Sequence, residues 1–228
     1  IFGILIAIAS VVEGVLAINI ARKAVSEKVE AHLTDKAADV AEIIDGRINS
    51  TFQFLEGIAR MPILADQSIP YGEKEARLQR EVAFNKRLAQ LNLYNLSGVR
   101  YTSDGKKVSV ADREWFKTAV SGKHFVSEPL VSRSLDKFVL IFAVPVYDDA
   151  HTIVGVLNAV ILAERLSEDI ADIVVGKTGQ CYIIGLTGSI IAHKDTSLVE
   201  KIYNPIEEAK TDPQHASLAA FIQHALST

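Results

Sequence analysis

The chain has 228 residues, 49% apolar and 23% charged, which is enough apolar matter for a folded core and excludes disorder and collagen-like repeats. Its 24 Lys and Arg against 28 Asp and Glu leave a net charge of -4 with no long basic run, so nucleic acid is not expected as a partner. The single Cys181 excludes an intrachain disulfide and a cysteine-built zinc site.

The first 21 residues, IFGILIAIASVVEGVLAINIA, hold no Lys or Arg and one acid, Glu13. An apolar helix of about 20 residues rises about 30 Å, the thickness of a bilayer's hydrocarbon, so residues 1–21 read as part of a transmembrane helix that begins before Ile1. A secretory signal core is the competing reading, because Ala7-Ile8-Ala9 before Ser10 resembles a cleavage site; the apolar residues that continue past it argue against cleavage. Residues 22–62 follow as a long spine helix. No proline interrupts Ala24 to Ala59, and Leu33, Ala37, Val40, Ile44, Ile48, Phe52, Leu55 and Ile58 recur every three or four residues along one face. Pro62 is expected to stop it. Two uses fit that face: a support for sheets, and a seam with a second copy in a homodimer.

After a polar loop, GEKEARLQREVAFNKRLAQ reads as a charged surface helix of two or three turns. The period then changes. LNLYNLSG, VRYTSDG, HFVSEPLVSRS, KFVLIFAVPVYDD and HTIVGVLNAVIL are short, rich in β-branched and aromatic residues and bounded by turn pairs, the pattern of hairpin-linked antiparallel strands. Among them VADREWFKTAVSG is expected to form a short helix, started by a Ser109 or Asp112 cap and ended by Gly122. The amphipathic segment AERLSEDIADIVVG leads to CYIIGLTGSIIAHKD, a hairpin turning at Thr187-Gly188 that begins a second sheet near residue 177. Too few strands follow to close that sheet, so the second module, 174–228, is expected to continue beyond Thr228. The fold class is α+β.

Enzyme signatures are missing. Gly176-Lys177-Thr178 has Ala171 where a phosphate loop needs Gly. The six histidines, at 32, 124, 151, 193, 215 and 224, have no ligand spacing, and no nucleophile elbow occurs. No catalysis, metal or cofactor is expected. What remains is Asp112-Arg113-Glu114-Trp115-Phe116, a fixed cation and two large rings at the start of a helix. Arg113 can fork two hydrogen bonds onto a carboxylate while Trp115 or Phe116 excludes water, which suits a small anion. Equally, Arg113 can pair with Asp112, Glu114 or Glu128 while the rings fill core.

The apolar helix, the spine, DREWF, the SEP turn at Ser127–Pro129, VPVYDD, GVLNAVI and GKTGQCYIIGLTGSIIAHKD occur in the order seen in double Cache domains. The chain resembles the extracytoplasmic sensor region of a bacterial methyl-accepting chemotaxis receptor. The resemblance implies two PAS-like antiparallel-sheet modules in tandem: a membrane-distal, ligand-binding one at 63–173 and a membrane-proximal one at 174–228. It also implies an inner-membrane protein whose sensor is periplasmic or extracellular, with the ligand signalling through the long helix. The same sensor type is fused to histidine kinases and cyclic-dinucleotide enzymes, and a periplasmic protein-docking module without a small ligand is a further alternative. Amino-acid-binding members use the motif's Arg and Trp on the ligand carboxylate, positions matched by Arg113 and Trp115. Their ammonium partners are not matched: Phe116, Val108 and Leu130 stand where Tyr is expected and Val160 where the strand should carry Asp. Strand alternation puts Asn158 on the same face as Val160, offering a neutral contact instead. The expected ligand-binding residues are thus Arg113, Trp115, Phe116, Asn158, Val160 and Arg133, and the expected ligand is a small carboxylate or other anion without an amine.

Overall fold

The computed structural model describes residues 2–102, 106–132, 135–171, 173–175 and 179–227, the side chains of residues 4–9 and 175 excepted. One helix, α1 (Phe2–Ala59), opens the chain, and the contacts divide the protein into two compact units, the first ending at Gly46 and the second running Arg47–Thr228. In the first unit Val11, Val12, Val15, Leu16, Ile18 and Ile20 are each more than half exposed, followed by the solvent-facing pairs Lys23–Glu27 and Lys36–Asp39. Among the described residues no helix is long and apolar enough to cross a membrane. The transmembrane expectation for residues 1–21 rests on a run that includes Ile4–Ala9, whose side chains lie outside that description.

The apolar face expected along the whole spine is buried only in part. Leu33 is exposed, whereas in the second unit Ile48 and Phe52 are half-buried and Leu55 and Ile58 fully buried. Helix α1 ends at Ala59, shortly before Pro62, with Met61 in the extended conformation that a following proline imposes, and Pro62 opens a separate short helix, α2 (Pro62–Ala65), at the first position, where its missing N–H costs nothing. Next, α3 (Tyr71–Phe84) makes about four turns rather than two or three, because Pro70 starts it early and nothing within it breaks the ladder. Its Lys74 is buried. The ammonium donates to the Leu64 carbonyl of α2 at 3.0 Å and lies 5.3 Å from the Tyr71 ring, and burial pushes its pKa down.

The main sheet is antiparallel and runs β1 (Leu88–Tyr94), β7 (Ile153–Leu162), β6 (Phe138–Tyr147), β4 (Phe125–Val126), with β5 (Leu130–Val131) also on β6. HFVSEPLVSRS is therefore two short strands, interrupted where Ser127 accepts from the Ile141 N–H through Oγ and donates its own N–H to the Ile141 carbonyl. Alternation sends Phe142, Val144, Val146, Leu157, Ala159 and Ile161 to the face packed on the end of α1 and on α3. Val139, Ile141, Ala143, Val156 and Val160 face the other way, toward Trp115 and Phe116 of α4 (Glu114–Val120). Strands β2 (Val99–Tyr101) and β3 (Lys107–Ser109) form a hairpin, and the turn from β1 into β2 passes through Gly98, whose φ of 71° and 2.8 Å approach of a hypothetical Cβ to the Ala111 backbone admit only glycine. Helix α4 corrects the expected cap: Arg113 is the cap residue, one position after Asp112, and Ser109 is still in β3.

Beyond β7 come α5 (Glu164–Ile170), the short pair β8 (Val174–Val175) and β9 (Gly179–Gln180), then the hairpin β10 (Tyr182–Ile184) and β11 (Ile190–His193). Helices α6 (Thr196–Glu200), α7 (Pro205–Glu208) and α8 (Ala216–Ser227) complete the chain, with the caps Asp195 and Asn204 accepting backbone N–H bonds. Glu128 of the SEP turn accepts from the Leu186 N–H at 2.7 Å, and Gly185 leaves room for it, since a Cβ there would lie 2.9 Å from the carboxylate. On the other side Asp169 of α5 ties α1 to the start of β1: Arg87 grips both carboxylate oxygens at 3.2 and 2.7 Å, and Arg47 pairs with the same group. Asp169 is 8% exposed and its partners about half exposed, so Asp169→Ala is expected to cost about 1–3 kcal/mol in denaturant unfolding. Loss of either Arg alone should cost less.

Candidate functional site

A cavity of about 200 Å³ opens on the α4 side of the sheet. Its floor is the alternating face of two paired strands: Gln90, Asn92 and Tyr94 from β1, and Asn158 and Val160 from β7. Asn92 stands opposite Asn158 in the register and donates to its side-chain carbonyl at 2.9 Å, so two buried neutral amides occupy the middle of the floor. The β2–β3 hairpin contributes Arg100, Val108 and Ser109 as one wall, and Leu130, Val131 and Ser132 form the opposite rim. Arg113 and Trp115 close the remaining side from the start of α4.

Of the residues expected from sequence, Arg113, Trp115, Asn158 and Val160 meet at this cavity. Phe116 does not line it. One position along a helix turns a side chain by about 100°, and Phe116 goes into the core edge-on to Trp115 at 6.1 Å. Arg133 lies outside the described residues. Val108 and Leu130 also line the cavity, so positions where relatives are expected to carry Tyr are apolar walls here. The structure adds Arg100, Tyr94, Asn92, Gln90 and Ser132, none of which the sequence reading singled out. Asn92 and Tyr94 could have been found by the same two-residue alternation that paired Asn158 with Val160, but nothing local shows that β1 lies beside β7.

The electrostatics are one-sided. Two guanidiniums line the cavity, and no carboxylate does among the described residues. Arg113 makes no ion pair with a described residue; Glu128, one of its possible partners, is engaged by Leu186 instead. Arg100 is 13% exposed and reaches Glu75 of α3 through Nη1 at 3.5 Å, a long contact for a charged pair. Tyr94 stacks edge-on to Trp115 at 5.4 Å. Burial raises its phenol pKa, while the adjacent Arg100, by its charge and by hydrogen bonding, pulls the other way. Among the described residues no cluster of His, Cys, Asp and Glu is assembled to hold a metal ion. This arrangement can bind and orient an anion against aromatic and apolar walls; among the described lining residues no nucleophile stands beside a base.

Because Tyr94 holds its proton longer when folded than when unfolded, its contribution to stability is complete below the ordinary tyrosine value of about 10 and is lost as pH rises toward its raised value. Burial raises Tyr71, Tyr182 and Tyr203 as well, so spectrophotometric titration should show several late phenols, one of which is lost in Tyr94→Phe. With Arg100→Gln that phenol should titrate later still, and an unchanged titration would separate Arg100 from Tyr94.

The ligand-binding domain of the Pseudomonas fluorescens chemoreceptor CtaA in complex with L-leucine is similar in fold, with a TM-score of 0.63, 17% identity and coverage of 83% of this chain and 80% of that one. That of the Campylobacter jejuni chemoreceptor Tlp3 with 4-methylisoleucine has a TM-score of 0.57 at 16% identity, covering 73% and 69%. The Pseudomonas aeruginosa chemoreceptor PctC domain with GABA has a TM-score of 0.53 at 21% identity, covering 78% and 80%. No curated protein matches the sequence. A family model described as Cache domain matches residues 17–224, nearly the whole chain, and the protein belongs to that family.

Proposed function

We propose that the chain is the extracytoplasmic sensing part of a transmembrane receptor and that the cavity beside α4 is its ligand site. The observation that carries the ligand class is the charge of that cavity: Arg100 and Arg113 line it without a carboxylate among the described lining residues. CtaA, Tlp3 and PctC were solved with amino acids or GABA, ligands that pair a carboxylate with an amine. Here Val160 and the Asn92–Asn158 amides occupy the floor, and an ammonium buried there would lack an anionic partner, which is costly. The ligand is therefore a small carboxylate or other anion without an amine, held by Arg113 and walled by Trp115. In this reading residues 1–21 anchor the protein in the inner membrane, residues 63–173 are the membrane-distal module and residues 174–228 the proximal one. Ligand shifts the equilibrium of α1, paired with α1 of a second copy, and the signal crosses the membrane without chemistry on the ligand.

The test is thermal melting with a panel of small carboxylates and amino acids. A ligand at a hundred times its dissociation constant adds about 2.7 kcal/mol, which for a protein of this size raises Tm by about 5–10 °C. Amine-free carboxylates should produce that rise, Arg113→Ala should abolish it, and Val160→Asp should weaken it by placing a like charge in the floor. Melting that responds to amino acids alone contradicts the ligand class. No response to either panel moves a protein-docking role ahead.

A further inference from the structure

Arg113 alone accounts for one carboxylate, and the second guanidinium then has no task. We propose that Arg100 completes a two-cation site and that the ligand of this cavity is a dianion, with a short dicarboxylate as the class that fits; this rests on reading the cavity as an anion site. Arg100 and Arg113 come from different elements, β2 and the cap of α4, yet both line the same cavity. Arg100 is not a conventional structural ion pair. Its Nε is buried without a hydrogen-bond partner, Oε2 of Glu75 is likewise buried without one, and the only ion-pair contact between the two side chains is the 3.5 Å approach of Nη1 to Oε1. By contrast Arg87 and Asp169, in the same unit, close a two-bond fork at 3.2 and 2.7 Å. A guanidinium that forgoes such a fork while facing a cavity keeps donors for something else.

The neighbours of Arg100 suit a carboxylate there. The Tyr94 hydroxyl is beside it as a second donor, and the Tyr94 ring meets the Trp115 ring edge-on at 5.4 Å. The lining also offers the apolar side chains of Val108, Leu130, Ile141 and Val160 to a short hydrocarbon link. Size agrees as well. The cavity, at about 200 Å³, is an order of magnitude above the roughly 10–15 Å³ that a single water needs, so it has room for a small organic anion. Glu75 has a defined part in this arrangement: it is the internal anion that holds Arg100 in place and competes with the ligand for it.

Isothermal titration of the 228-residue chain at constant ionic strength distinguishes the cases, using succinate, butyrate as the monoanion of the same length, and inorganic phosphate as a compact anion. Succinate should bind at least tenfold more tightly than butyrate. Arg100→Gln should erase that margin while leaving butyrate within about twofold, whereas Glu75→Gln should widen it by removing the competitor. Should Arg100→Gln fail to fold, Glu75→Gln carries the test by tightening succinate selectively. Equal affinities for succinate and butyrate in the wild type overturn the dianion, as does an Arg100→Gln variant that weakens both acids alike. Phosphate binding more tightly than succinate overturns the dicarboxylate in favour of two guanidiniums converging on one group. If neither acid binds the wild type, the anion-site reading fails together with the inference drawn from it.

Discussion

The ten-residue pairing of β6 with β7 sets the arrangement of everything around it in the second unit. Both strands are buried on both faces, so their two-residue alternation divides the core: one set of side chains meets α1 and α3, the other meets α4 and the cavity. A register slip of one residue would carry Asn158 and Val160 to the α1 side and place Leu157 and Ala159 under the ligand site. Register is held by the mass of apolar side chains on each face, not by the few polar ones. The cavity floor is thus largely a by-product of core packing, with Gln90, Asn92 and Asn158 as amide exceptions and Asn92 donating to Asn158.

How the cations are neutralised separates support from function. Asp169 answers both Arg47 and Arg87, and its location between α1, α5 and the start of β1 makes that cluster a tie between elements. Lys74 is deeply buried and also committed, to the Leu64 carbonyl. Arg113 has no such partner among the described residues, and Arg100 has an incomplete one. Buried or half-buried cations left in that condition are unfavourable for folding alone, and both face the same cavity. Charge balance, more than cavity size, supports the anion site proposed for this cavity.

Much of the fold was legible because its signals are local. β-branched runs between Ser97-Gly98 and Asp148-Asp149 read as strands, and they are strands. Boundaries were less legible. Arg113, not Asp112, caps α4, because the chain leaves β3 and turns at Val110 before the helix can begin, with the Arg113 N–H already bonded to the Val110 carbonyl. The spine's apolar stripe shows the same limit: periodicity shows which residues share a face but not what covers it, and Leu33 is exposed where Leu55 is buried.

The same distinction governs the site. Sequence alone determined that Arg113 and Trp115 stand together at a helix start and that Asn158 and Val160 share a strand face, since each pair lies within a few residues and obeys a fixed helical or strand period. It also determined, by composition, that neither disulfides nor a cysteine-built metal site sustains the fold. Tertiary structure decided which of those pairs meet, that Phe116 turns into the core, and that Arg100, Tyr94 and Asn92 join the cavity. The physical reason is separation along the chain. Asn92 and Asn158 are 66 residues apart, and only the pairing of β1 against β7, set by burial of both strands' apolar faces, brings them to 2.9 Å.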